Sequence, residues 1–146
     1  MELALFSHQM KLDLAKYGVV NNKTYIVVFP KKLTKEFYPG FIAGVISGDG
    51  CVYLSRRKNN LRCFIAGNLA LLEKIKKILI KNIEFNRIKK IQKKKESVNL
   101  HILELNQGET MRLYYWLKSS RINIMERKNK LIEEFIKNYS NRMKTI

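Results

Sequence analysis

Tyr38-Pro39-Gly40-Phe41-Ile42-Ala43-Gly44-Val45-Ile46-Ser47-Gly48-Asp49-Gly50 carries several signals in thirteen positions. Pro39 suits the first turn of a helix, where its missing N–H leaves no bond unmade. Phe41, Ile42, Val45 and Ile46 recur at helical spacing. Gly40, Gly44 and Gly48 stand four apart and therefore line one stripe of that helix, with Ala43 and Ser47 beside it. A glycine within a helix costs about 1 kcal/mol against alanine, so three of them call for a reason. A face without side chains lets a second backbone approach closely, as small-residue stripes do where helices cross. Asp49 would then sit at the negative end of the helix dipole, an unfavourable place for a carboxylate. If a copy of the helix packs on the stripe, two such carboxylates converge, and a divalent cation such as Mg2+ would relieve their repulsion. The plainer alternative is that Asp49-Gly50 is only a helix stop and turn.

Charge points to the partner. The chain of 146 residues holds 29 Lys and Arg against 12 Asp and Glu, a formal net charge of +17, with 46% apolar residues. That length and apolar content suit one domain with its own core. So strong a field attracts polyanions, nucleic acid first among them. An anionic membrane would want a basic amphipathic helix with a bulky apolar face. Here the basic runs fall mostly on expected strands and loops, and no apolar run is long enough to span a bilayer. The N-terminus shows no secretion signal. Cys51 and Cys63 sit in strand-like segments. With only His8 and His101 to join them, they make no zinc spacing, and two thiols suit an intracellular protein better than a disulfide.

Residues 3–17 read as a helix, with Phe6, Met10, Leu14 and Tyr17 on one face and Gly18 as its stop. Residues 23–29 read as a short strand ended by Pro30. Together residues 1–35 form an N-terminal helix-strand arm, and 36–146 the main domain. After Gly50 the period becomes two: Cys51, Tyr53, Ser55 and Arg57 share a face, Val52 and Leu54 the other. Residues 58–60 are the turn, and the return strand sets Arg62 and Phe64 against Leu61, Cys63 and Ile65. A helix over 69–83 buries Leu72, Ile75 and Leu79 and exposes Lys74, Lys77 and Lys81. A second strand pair is expected at 87–95 and 97–105. In the latter Val98, Leu100 and Ile102 would face inward, with Ser97, Asn99 and His101 outward. Helices near 108–118 and over 125–138 close the chain. The expected class is α+β: a four-stranded antiparallel sheet, one face on helices and one open. The open face would gather Tyr53, Ser55, Arg57, Arg62, Arg87, Lys89, Lys93, Asn99 and His101. Such a ribbon suits the major groove, with much of its charge on phosphates. Taken singly, each lysine is better explained as keeping a sheet edge soluble; taken together, with the net charge, the set favours contact with DNA.

Ile42-Ala43-Gly44-Val45-Ile46-Ser47-Gly48-Asp49-Gly50 resembles the signature of the LAGLIDADG homing endonucleases, departing at Ser47, where the family usually has an aspartate. The resemblance implies an αββαββα unit. It also implies an intracellular, intron-encoded nuclease of the single-motif type, a homodimer that cuts double-stranded DNA with Mg2+. Gly40, Ala43, Gly44 and Ser47 would form the dimer interface. Asp49 would be the catalytic metal ligand, with the Gly48 carbonyl nearby. Asn68 matches best the polar residue that assists at the end of the second strand. A lysine usual at the end of the fourth strand is replaced by Asn106. Ser47 and Asn106 favour the alternative: a cleavage-inactive DNA binder, or a maturase-like protein whose partner is intron RNA. The N-terminal arm resembles the tail of a preceding repeat in two-repeat members, so the chain is either a single-repeat protein with that arm or part of something longer.

Overall fold

The computed structural model describes residues 7–16, 29–55, 59–95 and 99–144. The first described element, α1 (His8–Lys16), lies within the helix expected over 3–17 and is largely exposed, with Met10 and Leu12 open to solvent. Phe6, Tyr17 and most of the strand expected at 23–29 lie outside the described residues. Of that strand only Phe29 is described. It is in no strand, but is buried against the rings of Tyr38 and Phe41, at centroid distances of 5.3 and 4.7 Å.

A 3-10 turn at Lys35–Phe37 leads into α2 (Tyr38–Asp49), with Pro39 in its first turn. The buried side of α2 is Pro39, Ile42, Ala43 and Ile46. The chain leaves the helix without a loop: Gly50 is extended, with φ −93°, and opens β1 (Gly50–Leu54). A Cβ at position 50 would lie 2.7 Å from the Ile46 carbonyl oxygen and 2.8 Å from its Cα. Neither atom can yield, so this junction requires glycine.

β1 pairs antiparallel with β2 (Leu61–Gly67), which pairs with β4 (His101–Leu105), which pairs with β3 (Gln92–Lys93), giving the order β1-β2-β4-β3. The helices α3 (Leu69–Asn82), α4 (Gln107–Ser119) and α5 (Glu126–Lys144) complete the chain. The fold is therefore α+β with a four-stranded antiparallel sheet. From α2 to α4 the order is helix, strand pair, helix, strand pair, helix, as expected. The inner face of the sheet (Val52, Leu61, Cys63, Ile65, Leu103, Leu105) meets Ile42 and Ile46 of α2, Leu72, Ile75 and Leu79 of α3, Leu113 and Leu117 of α4, and Ile132 and Phe135 of α5 in one apolar core. Burying each such side chain contributes about 1.5–3 kcal/mol.

Two strand expectations are corrected. First, β4 turns its other face inward. Leu103 and Leu105 are fully buried opposite Ile65 and Cys63, while Ile102 faces outward opposite Ala66 and Leu100 is exposed. Residues 100–105 read Leu-His-Ile-Leu-Glu-Leu, apolar in both parities, so two registers one residue apart are open. A one-residue slip exchanges the faces, and pairing with β2 selects the one that buries two leucines. Val98 lies outside the described residues. Second, β3 is two residues long, where a strand over 87–95 was expected. Residues 83–91 are held by side chains instead. Arg112 Nε donates to the Ile83 carbonyl at 2.7 Å, the Asn86 N–H donates to Glu109 at 3.2 Å, and Lys76 Nζ donates to the Lys89 carbonyl. Backbone groups satisfied in this way have no need of a ladder.

Candidate functional site

The C-terminal end of α2 is the most built part of the molecule outside the core. Gly40, Gly44 and Gly48 are all exposed, and a Cβ added at Gly44 or Gly48 would meet nothing within 4 Å. The bare face is real and faces away from the chain's own core. Ala43 does not belong to it: it is 3% exposed and packs inside the chain, which corrects its placement beside the stripe. Ser47 is half-buried and its Oγ accepts the Met125 N–H at 2.8 Å, tying α2 to the residue before α5. Its hydroxyl thus serves a bond within the chain.

Beneath the helix end lies Lys128, which is 7% exposed. Its ammonium donates to three carbonyls: Ile46 at 2.7 Å, Ser47 at 2.7 Å and Gly50 at 2.6 Å. A lysine has three N–H donors and no acceptor, so all three are used. The last carbonyls of a helix lack partners within it, and a cation there is favoured by the helix dipole. Lys128 offsets the negative end that makes Asp49 unfavourable. It was missed in the sequence, although a signal exists: positions 128, 132 and 135 share one helical face, and the other two are the buried Ile132 and Phe135. A lysine on an apolar stripe is anomalous.

Asp49 is exposed and makes no hydrogen bond or ion pair among the described residues. Lys128 takes carbonyls on either side of Gly48 and Asp49 but not theirs. Beside this end runs an open groove of about 450 Å³, lined by Ser47, Gly48, Gly50, Cys51, Met125, Arg127 and Lys128. The exposed Arg127 is a second functional candidate that periodicity did not single out. No group of three His, Cys, Asp or Glu that could hold a metal occurs among the described residues. Among the described residues, the end of α2 therefore offers a cation one carboxylate and glycine backbone.

The two asparagines expected near the chemistry are helix caps. Asn68 caps α3, its Oδ1 accepting the Leu71 N–H at 2.9 Å. Asn106 caps α4 in a capping box: its Oδ1 accepts the Glu109 N–H at 2.9 Å, and its own N–H donates to Glu109 Oε2 at 2.8 Å. The fully buried Glu109 also receives Asn86 N–H and pairs with Lys89. Burial alone would raise its pKa. The Lys89 ammonium and the two backbone N–H groups outweigh this and hold the carboxyl below its ordinary value.

The basic ribbon expected on the open sheet face is not one surface. Tyr53 and Arg62 do stand together there as a cross-strand pair. Ser55 follows β1 and its N–H donates to Asn60. Arg57 lies outside the described residues. His101, paired with Lys93 and opposite Gly67, belongs to the other face, and its Nδ1 lies 3.3 Å from the Asn99 carbonyl. Lys89 is engaged by Glu109 and lies over the Phe85 ring. Arg87 is exposed in a turn rather than on a strand. The face also carries Phe64, Ala66, Ile102, Cys51 and an acid that was not foreseen, Glu104, whose Oε1 is 3.4 Å from Arg62 Nη1. Tyr53 has its hydroxyl pKa raised by partial burial and by Glu104, against Arg62. Both cysteines are free, and burial pushes the Cys63 thiol up to about 12.

No family model and no curated protein matches the chain. One solved structure that does, the crystal structure of the LAGLIDADG meganuclease I-AabMI bound to uncleaved DNA, aligns with 96% of this chain at 17% identity and a TM-score of 0.49. The chain spans about half of that protein's length, 47%. Likeness at that level transfers no activity, partner or residue role. No helix among the described residues is long and apolar enough to cross a membrane.

Proposed function

We propose that this protein binds double-stranded DNA and hydrolyses its phosphodiester bonds as a homodimer. Two copies of α2 would meet on their glycine faces, and Asp49 of each would hold Mg2+. The observation that carries this reading is the join of two features on α2: a face open to a second backbone, ending at a carboxylate with no hydrogen-bond or ion-pair partner among the described residues. A two-fold axis along that face would bring the two Asp49 carboxylates together. The described residues of one chain hold no group of three His, Cys, Asp or Glu for a metal. Two carboxylates, water and a DNA phosphate fit the habits of Mg2+. Bound there, the metal would neutralise charge on the phosphoryl group and acidify a water. The chain's own part is to hold Asp49 in place through Lys128 and Gly50, and to attract the duplex with its net charge of +17.

The test is cleavage of a randomised duplex library with Mg2+ by the purified protein and by Asp49→Asn. Cutting by the first and intact binding without cutting by the second are expected. Cutting by both removes Asp49 from the chemistry. A second reading, a DNA binder without cleavage, is favoured by one observation: the positions expected to assist, Asn68 and Asn106, are engaged as helix caps. It predicts salt-sensitive binding and no nicks at any metal concentration.

A further inference from the structure

The largest concentration of charge lies away from the open sheet face. Residues 73–95 carry ten Lys or Arg against Glu73 and Glu84. By contrast, the paired residues of β1, β2 and β4 place a single Lys or Arg, Arg62, on the open face, and Glu104 stands 3.4 Å from it. Between α3 and residues 87–91, at the β3 edge, runs a groove of about 500 Å³. Lys76, Lys77, Arg87 and Lys90 line it with one acid, Glu73, over an aliphatic floor.

A run of lysines is usually just a solvated face. Here the geometry differs, because one wall is pinned. Lys76 Nζ donates to the Lys89 carbonyl, Lys89 pairs with the buried Glu109, and Glu109 also holds the Asn86 N–H. The cations of the loop are thus presented opposite those of the helix without the ordering cost a free loop would bring.

We infer that this groove binds the phosphate backbone of duplex DNA, outside the stretch that would lie on the sheet. The lining decides the class. Among the described residues it holds no aromatic side chain on which an unstacked base could rest. Nor do the described residues lining it include a hydroxyl or amide side chain to recognise a 2′-hydroxyl. What it offers is cations at fixed places, which read charge and not sequence. This inference rests on the DNA-binding reading above but not on cleavage.

The experiment is metal-free binding of a 30-base-pair duplex of arbitrary sequence, followed over a salt series. The variant is Lys77→Ala/Arg87→Ala/Lys90→Ala, three exposed residues of the groove. Its control is Lys31→Ala/Lys35→Ala/Lys137→Ala, exposed lysines elsewhere with the same change of net charge. The groove variant is expected to lose about tenfold or more in affinity at 50 mM salt, and its slope of log K against log salt to be shallower by about 2.7. The control variant should change little. Equal losses in both would overturn the inference, showing charge acting without location. Groove-dependent binding of an RNA duplex of the same sequence, with DNA indifferent to the groove, would overturn the choice of DNA. Thermal midpoints of both variants check folding. Because no metal is present, the result stands apart from the Asp49→Asn test.

Discussion

The ammonium nitrogen of Lys128 lies 2.6 Å from the carbonyl oxygen of Gly50, 78 residues away in the chain. The same ammonium reaches Ile46 and Ser47, so one buried cation closes the end of α2, the start of β1 and the first turn of α5. Lys128→Met fills similar space but takes the ammonium away from these carbonyls, of which Ile46 keeps the Gly50 N–H. A loss of about 3 kcal/mol in unfolding free energy is expected. Lys128→Arg should not restore it, because a planar fork of donors cannot replace a compact ammonium. Urea denaturation of the three proteins is the measurement, and a loss under 1 kcal/mol for the Met variant would show the clamp to be dispensable.

Glu109 is a buried carboxylate that makes the fold sensitive to acid. Its folded pKa lies below the ordinary value of 4.5, so the charged form is the one the fold favours. The stability it contributes is fully present above about pH 4.5 and declines as pH falls from there toward the folded pKa. Replacing it by alanine strands Lys89 and two backbone N–H groups, and should cost about 3–5 kcal/mol at pH 7. The difference between wild type and Glu109→Ala should shrink as pH is lowered through this window. Thermal melts at pH 7, 5 and 3 would show it; a difference constant with pH would remove the charged form from the account.

Gly44 allows the proposed pairing of two copies to be tested apart from packing within the chain. Nothing lies within 4 Å of a Cβ placed there, so Gly44→Ala should raise the stability of the single chain by about 1 kcal/mol through helix propensity. Gly44→Leu should likewise leave the isolated chain folded, yet prevent self-association by occupying the bare face. Sedimentation velocity alongside thermal melting reads both effects. A leucine variant that still dimerises would place the contact between copies elsewhere.

Asn68 is a cap, which makes a substitution series informative. Asn68→Ala should cost about 1 kcal/mol, while Asn68→Asp and Asn68→Ser should retain most of the stability, since both side chains accept the Leu71 N–H equally well. If the residue has no part in chemistry, whatever nuclease activity the wild type shows should survive in the serine variant. Loss of activity with stability unchanged would give Asn68 a second role.

Periodicity alone is enough for the elements whose two faces differ sharply. The helix from Tyr38, its bare glycine stripe and Asp49 at its end are all legible in thirteen residues. The same holds for the β1–β2 hairpin and for the inward Leu72, Ile75 and Leu79 of α3. In each case backbone geometry assigns every residue to a side, and the side with the larger run of aliphatic residues is the buried one. Where the local pattern is degenerate, distant atoms decide. β4 is apolar in both parities, and only the match of Leu103 and Leu105 to Ile65 and Cys63 settles which side is buried. Residues 87–91 have strand-like spacing, yet Lys76, Glu109 and Arg112 hold the surrounding 83–91 backbone away from a ladder. Polar partners divide in the same way. The caps Asn68 and Asn106 take N–H groups only three residues on. The roles of Ser47 and Lys128 as tie and clamp exist because folding carries N–H and C=O groups 78 to 82 residues away to within 3 Å of them.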